Sequence, residues 1–176
     1  MAEATLVRLG ARAQINVRAR GPAVERVAKR LSIPALPGAN RFVATPLGEC
    51  YWLGPDEWLV VAPPDSRAAV LDALDEVVGP DDGAAVDVSS SRVPFELGGP
   101  KARDVLAGCC ALDLHPRVFG PGQCAQTLLA KAPVLLSQVD DAPTYRLFVR
   151  PSLVSYVVSW LRDGIEGAVG VGSAGN

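Results

Sequence analysis

Cysteine and histidine are the first residues of this chain to consider as a nucleophile pair or as zinc ligands. The cysteines are Cys50, Cys109, Cys110 and Cys124, and His115 is the only histidine. No two cysteines have the C-x-x-C spacing, whereas tetrahedral zinc takes four thiolate or imidazole ligands that usually arrive in close pairs. We therefore predict buried free thiols and no metal site.

The same residues could instead form a catalytic thiolate–imidazole pair. Cys109 or Cys110 with His115 has the right atoms for such a pair. Catalytic partners are normally brought together by the fold, however, and not within so short a stretch of chain. A thiol enzyme is therefore the last of three hypotheses for the function.

Serine and carboxylate candidates are better explained by structure than by catalysis. Residues 89–91 are three serines after a predicted strand, but the chain has no G-x-S-x-G elbow and no Ser-x-x-Lys pair. Asp87 lies in an apolar strand directly before them, so its carboxylate must find a partner if it faces inward. We expect it to hydrogen-bond to the serine loop.

Two glycine-rich segments could in principle hold a phosphate. Residues 167–172 carry their glycines in the reverse order of the dinucleotide fingerprint, and we expect residues 166–176 to form a flexible tail. Residues 98–100 lie between a strand and a helix, where backbone N–H groups could bind an anion. A helix-initiating turn with Pro100 at the first helical position needs the same residues, and we favour that explanation.

Composition and charge exclude several classes of protein. Hydrophobic residues make up 49% of the 176 residues and charged residues 20%, which is typical of a folded chain. The net charge of -2 lacks the basic excess that nucleic-acid binding normally needs. No apolar run approaches the roughly 18 residues of a membrane span, and the first twenty residues do not resemble a signal peptide. We expect a soluble, cytoplasmic protein with no nucleic-acid or membrane partner.

The basic residues are concentrated near the start of the chain. Residues 1–30 hold seven arginines and lysines against two glutamates, a local charge of +5. Such a cluster could be a docking surface for an acidic partner, or it could be solvated arginines on the outer faces of amphipathic elements. The sequence leaves both explanations open.

Periodicity predicts an α+β fold with mostly antiparallel sheets. Each half of the chain has the pattern of two strands, a helix, a three-stranded meander with very short connections, and another helix. We therefore predict one domain over residues 1–165, with halves at about 1–80 and 84–165, and we expect an internal duplication. The helix that ends the first half has a clear inner face made of Val70, Leu71, Leu74, Val77 and Val78.

The last predicted helix, residues 152–162, has an apolar arc of roughly 200°, wider than a helix on one sheet needs. Leaving two or three large side chains in water forgoes roughly 1.5 to 3 kcal/mol each, so something should cover the second flank. The cover could be the chain's own segment around Phe119 or another chain. We take Phe119, Val154, Val158 and Leu161 as candidate partner-interface residues.

Several stretches, taken in order, resemble the gamma subunit family of heterotetrameric sarcosine oxidase. The stretches that carry the resemblance are Gly54-Pro-Asp-Glu-Trp58-Leu-Val, Asp87-Val-Ser-Ser-Ser-Arg92, residues 106–119, residues 122–130, Tyr145-Arg-Leu-Phe-Val-Arg150-Pro-Ser, and Trp160-Leu161. They span roughly residues 50 to 162.

The resemblance implies a small subunit in a complex with alpha, beta and delta subunits, bound mainly to alpha. Such a complex oxidatively demethylates sarcosine to glycine and yields hydrogen peroxide with methylenetetrahydrofolate or formaldehyde. In that family FAD, FMN, NAD, zinc and tetrahydrofolate belong to other subunits, so we expect no cofactor and no catalytic residue in this chain. The fold is expected to be similar to the folate-binding domains of aminomethyltransferases.

Two hypotheses stand ahead of the thiol enzyme. The leading one is a non-catalytic subunit that docks through the last helix and residues 113–126. The second is a stand-alone folate-binding or one-carbon transfer protein that uses residues 87–92 to hold a pterin or its glutamate tail.

Overall fold

The computed structural model describes the backbone of residues 3–172 and the side chains of residues 3–167. The strands are β1 (Thr5–Arg8), β2 (Ala13–Ala19), β3 (Phe42–Thr45), β4 (Gly48–Gly54), β5 (Glu57–Ala62), β6 (Gly83–Asp87), β7 (Val93–Gly98), β8 (Cys124–Leu129), β9 (Ala132–Asp140) and β10 (Thr144–Val149). The α-helices are α1 (Pro22–Arg30), α2 (Arg67–Val78), α3 (Ala102–Ala107) and α4 (Val154–Gly172). Short 3₁₀ turns at Pro64–Ser66 and Pro151–Leu153 lead into α2 and α4.

These elements form two compact units, each with one antiparallel five-stranded sheet. The first unit is Ala11–Ser91, with strand order β3-β4-β5-β2-β6. The second unit joins the first ten residues to those from Arg92 onward, with strand order β8-β9-β10-β7-β1. In these orders every strand of one sheet has a counterpart in the other, and α1 and α2 correspond to α3 and α4. The predicted α+β class is confirmed, and the strand order supports an internal duplication.

The first strands of the two predicted halves, β1 and β6, are exchanged between the sheets. Each pairs in the sheet that the other half mainly forms. Strand β1 precedes the elements of the first unit but pairs with β7, with Thr5 opposite Gly98. Strand β6 follows those elements and pairs with β2, with Gly83 opposite Ala19. The units therefore differ from the expected halves, 1–80 and 84–165, in the placement of these strands. Local patterns identify a strand but not its partner, because pairing depends on residues far away in the chain.

In the first unit, α1 and α2 pack on one face of the sheet. Buried residues of α2 include Val70, Leu74 and Val78, as the predicted inner face requires. Arg26 of α1 donates hydrogen bonds to the carbonyl oxygens of Val77 (2.7 Å) and Val78 (2.9 Å). Because the last carbonyl groups of a helix have no partner within it, this arginine both caps α2 and ties it to α1.

In the second unit, α3 and α4 pack on the sheet and against each other. A Cβ atom placed at Gly164 of α4 would lie 3.1 Å from Cγ1 of Val105 in α3, so the missing side chain permits the close approach. Arg103 of α3 donates a hydrogen bond from Nε to the Tyr145 hydroxyl at 3.0 Å and so links α3 to β10. Burial raises the pKa of Tyr145, and the arginine hydrogen bond offsets part of that effect.

Two helix boundaries differ from the sequence-based prediction. Helix α3 begins at Ala102, so Pro100 precedes the helix and does not occupy its first position. Helix α4 continues to Gly172, well past the expected end near residue 162. Glycines in this stretch lower helix propensity, but packing at Gly164 and the partly buried Ile165 override that preference. Residues 166–172 are thus helical, and residues 173–176 of the expected tail lie outside the described residues.

Candidate partner interface

Helix α4 has one face that the second unit buries completely. Val157 and Leu161 are each 1% exposed and belong to the core between the helix and the sheet. They lie four residues apart and therefore on the same side of the helix. Leu161, one of the predicted interface residues, is part of this core.

The first flank of α4 carries Val154 and Val158, which are partly buried against the same core. These two side chains line a groove of about 240 Å³, which we call the β1 groove. Its full lining is Leu6, Arg8, Phe95, Val154, Val158 and Arg162. Two predicted interface residues thus lie on an accessible surface that is apolar along its floor and carries two guanidinium groups.

The second flank of α4 carries two exposed aromatic residues. Tyr156 is 37% exposed and Trp160 is 44% exposed, and both belong to the apolar arc that the sequence predicts. Their ring centroids are 6.5 Å apart at an interplanar angle of 66°, an edge-to-face arrangement. Because more than one third of each side chain is exposed in the folded chain, the aromatic flank remains open to a partner.

The segment at residues 113–126 is a folded loop anchored by buried side chains. Leu114 and Phe119 are each 4% exposed and belong to the core of the second unit. The Asp113 carboxylate accepts the His115 N–H (2.9 Å), and His115 Nδ1 accepts the Arg117 N–H (3.2 Å). Phe119 is therefore held by its own unit, and its role in a partner interface stays a prediction.

One of the two thiol candidates, Cys109, is held as a neutral group. Burial, with a smaller contribution from Cys110, raises the pKa of Cys109 to about 11, so its thiolate is scarce near neutral pH. The Cys109 thiol lies 3.5 Å from the Val105 carbonyl oxygen, and Cys110 Sγ lies 3.9 Å from Thr127 Oγ1. A catalytic thiol needs a lowered pKa and a base, so this arrangement favours structural thiols.

Asp87 is engaged by its own loop. Its carboxylate accepts hydrogen bonds from the Ser89 N–H (3.0 Å) and the Ser89 hydroxyl (2.5 Å), and it forms an ion pair with Arg67 at 3.4 Å. These hydrogen bonds, together with the smaller effect of the Arg67 charge, lower the pKa of Asp87. Gln14, in the neighbouring strand β2, donates a hydrogen bond from its backbone N–H to the Ser89 hydroxyl oxygen at 3.0 Å. The predicted hydrogen bonding to the serine loop is confirmed, although Asp87 is exposed and does not face inward.

The other sequence candidates have structural explanations. Gly99 has φ of +110°, and a Cβ atom there would lie 2.9 Å from the Glu3 carbonyl oxygen. The same oxygen accepts the Lys101 N–H at 2.8 Å, so this turn holds the start of β1 against α3. Within the described residues, all four cysteines are free and no three His, Cys, Asp or Glu side chains are grouped to hold a metal ion. No helix in this part of the chain is long and apolar enough to cross a bilayer.

Comparisons with known proteins agree with this arrangement. The model of the sarcosine oxidase, gamma subunit family matches residues 18–166. The sarcosine oxidase subunit gamma of Corynebacterium sp. (strain U-96) is 39% identical over 115 residues, which are 65% of this chain and 55% of that protein. The subunit of the same name from Arthrobacter sp. is 40% identical over 114 residues, with the same two shares. The matched region thus spans about half the length of these curated relatives.

Solved structures give the same fold. A chain of the heterotetrameric sarcosine oxidase from Corynebacterium sp. U-96, solved in complex with pyrrole 2-carboxylate, has a TM-score of 0.85 and 32% identity, covering 95% of this chain and 86% of that one. The glycine cleavage system aminomethyltransferase T from Bartonella henselae has a TM-score of 0.71 at 16% identity, covering 91% of this chain and 45% of that one. The second match supports the fold alone, and the predicted similarity to the aminomethyltransferase fold is confirmed. Because the family model matches most of the chain, this protein belongs to the sarcosine oxidase gamma subunit family.

Proposed function

We propose that this chain is a non-catalytic subunit of a cytoplasmic heterotetrameric sarcosine oxidase and that it binds its partners through α4. The partners are the alpha, beta and delta subunits, with alpha as the main contact. The observation that carries the proposal is the exposed Tyr156–Trp160 pair, together with membership of the gamma subunit family.

The reaction belongs to the complex as a whole. Sarcosine is oxidatively demethylated to glycine, oxygen is reduced to hydrogen peroxide, and the methyl carbon leaves as methylenetetrahydrofolate or formaldehyde. FAD, FMN, NAD, zinc and tetrahydrofolate are assigned to the other subunits. The neutral Cys109 thiol and the internally bonded Asp87 support a structural role for this chain.

The aromatic pair supports docking because the fold does not need it. Val157 and Leu161 already fill the space between α4 and the sheet. Aromatic residues are enriched at the centres of protein interfaces, where they bury large areas at a low entropic cost. The pair would therefore gain more from covering by a partner than it contributes to the isolated chain.

Co-expression of a tagged form of this chain with the alpha, beta and delta subunits tests the proposal. We expect a yellow, flavin-containing complex to co-purify with the tag. Replacing both aromatics (Tyr156→Glu with Trp160→Glu) should weaken this association by at least about tenfold, since interface hot spots cost about 2 kcal/mol or more. Val86→Glu, which places one glutamate at an exposed apolar residue of the first unit, is the control for a charge on an apolar surface and should not weaken it.

Other outcomes would contradict the proposal. A well-folded monomer that ignores the other subunits would remove the docking role, and flavin retained by this chain alone would remove the non-catalytic role. Tight binding of tetrahydrofolate by the isolated chain would favour the stand-alone folate-binding protein instead. Titration of the isolated chain with tetrahydrofolate measures this directly.

A further inference from the structure

We propose that the β1 groove binds an extended, acidic segment of a partner subunit, which adds to β1 as a further antiparallel or parallel strand. This proposal rests on the proposed function, because the segment belongs to another subunit of the complex. It concerns the flank of α4 opposite the aromatic pair and assigns a kind of ligand to that flank.

The main-chain groups of β1 are available on one side. Strand β1 is at the edge of its sheet, with β7 as its neighbour. The Leu9 N–H donates to the Pro94 carbonyl oxygen at 3.0 Å. Hydrogen bonding alternates along an antiparallel strand, so Val7, two residues before Leu9, also directs its N–H and C=O groups toward β7. The N–H and C=O groups of Leu6 and Arg8 therefore point away from β7. The outward N–H and C=O groups of Leu6 and Arg8 can pair with an added strand.

This edge is short and ends at Arg8, which limits non-specific pairing, but within the described residues it is not otherwise blocked. Three of the four residues of β1 are exposed, and the Val7 side chain is 47% exposed. Natural edges are commonly blocked by proline, by a bulge or by a covering segment. Within the described residues β1 contains no proline, and its register with β7 is regular from Thr5 to Arg8. The strand is therefore suited to β-strand addition.

The groove lies where the side chains of an added strand would fall. Leu6 and Arg8 are two residues apart, so both side chains lie on the helix-bearing face of the sheet. There they line the groove with Phe95 of β7 and with Val154 and Val158 of α4. A strand paired with β1 would send every second side chain toward this apolar floor, which favours aliphatic residues at those positions.

The charge of the groove selects an acidic segment. Arg8 and Arg162 line it, and neither forms an ion pair in the described part of the chain. By contrast Arg18 and Arg20, also in the basic N-terminal stretch, both form ion pairs with Asp56. Unlike these two arginines, Arg8 and Arg162 carry positive charges at the groove that no carboxylate of its lining balances. Carboxylates on the partner segment would complement the two guanidinium groups.

A second copy of this chain fits the groove less well. Pairing two β1 strands would bring Arg8 and Arg162 of both copies to one interface, where the groove lining offers no carboxylate to balance the four positive charges. The acidic segment of a different chain avoids this repulsion.

Hydrogen exchange at single-residue resolution tests the added strand directly, in the assembled four-subunit complex and in the isolated full chain. We expect the amides of Leu6 and Arg8 to exchange at least about tenfold more slowly in the complex. The Val7 amide, which faces β7 in both states, is the internal control and should change less. If the complex assembles but Leu6 and Arg8 exchange as fast as in the isolated chain, this inference is wrong while the proposed function stands.

Charge reversal tests the acidic character of the segment. Combining Arg8→Glu with Arg162→Glu should weaken binding to the other subunits by about tenfold at low salt, and the loss should shrink at high salt. Arg30→Glu, at an exposed arginine of the first unit, should change affinity by less than about twofold. An unchanged affinity in the double variant would overturn the acidic segment. Dimerisation of the isolated chain with protected Leu6 and Arg8 amides would assign the edge to a second copy instead.

Discussion

Helices α2 and α4 have equivalent positions in the two units but different outer surfaces. The inner face of α2 is buried at Leu74, as that of α4 is at Leu161. The outer face of α2 carries exposed Asp72 and Asp75, whereas α4 carries exposed Tyr156 and Trp160. One buried stripe therefore suffices to attach a helix to this kind of sheet. The aromatic flank of α4 is an addition that the fold does not require.

The largest loss of stability should follow from truncating the two buried leucines, and it should be similar in both helices. We expect Leu74→Ala and Leu161→Ala each to lower the free energy of unfolding by about 2–5 kcal/mol, since each leaves a cavity in a closed core. Chemical denaturation of the isolated chain measures both. A cost for Leu161→Ala below 1 kcal/mol would break the comparison, because α4 would then not be held by its inner face.

A smaller loss of stability should follow from adding a side chain at Gly164, where α4 packs closely against α3. Gly164→Leu should lower the free energy of unfolding by about 1–3 kcal/mol, because the new side chain meets Val105 at close range. Thermal unfolding followed by circular dichroism measures the change. No loss of stability would mean that α3 and α4 can separate without cost.

The matched glycine on the same helix should behave in the opposite way. No heavy atom lies within 4 Å of a Cβ atom placed at Gly167. Gly167→Ala should therefore raise the free energy of unfolding by about 0.5–1 kcal/mol through helix propensity alone. A loss of stability in the same thermal unfolding measurement would contradict the helical end of α4.

The smallest change in stability should follow from replacing Asp87, at the end of β6. Asp87→Asn should change the free energy of unfolding by about 0.5 kcal/mol at neutral pH, as is usual for exposed residues. Because the folded-state pKa of Asp87 is lowered from 3.8, its contribution is present above that pH and is lost as the pH falls through the lowered pKa. Denaturation of both proteins from pH 6 to pH 2 should show their difference vanishing at the acidic end. A difference that grows on acidification would have the wrong sign.

Sequence patterns predicted the elements well and their pairing poorly. The inner face of α2 and the meander of β3, β4 and β5 follow from local periodicity and short connections, and both are confirmed. The exchange of β1 and β6 between the sheets had no local signal, because each strand pairs with residues outside its own half. The wide apolar arc of α4 identified the right helix, but which of its residues are accessible depended on packing.

The sequence by itself determined the class of fold, the lack of a recognisable catalytic pattern and the family resemblance, because these depend on residue types and spacing along the chain. Only the tertiary structure decided that Phe119 and Leu161 are core residues and that Tyr156 and Trp160 are exposed. It also decided that Arg8 and Arg162 line the same groove. Burial and proximity are properties of strands and helices brought together from distant parts of the chain. A helical pattern states which residues share a face, but the neighbouring elements determine which face remains in water.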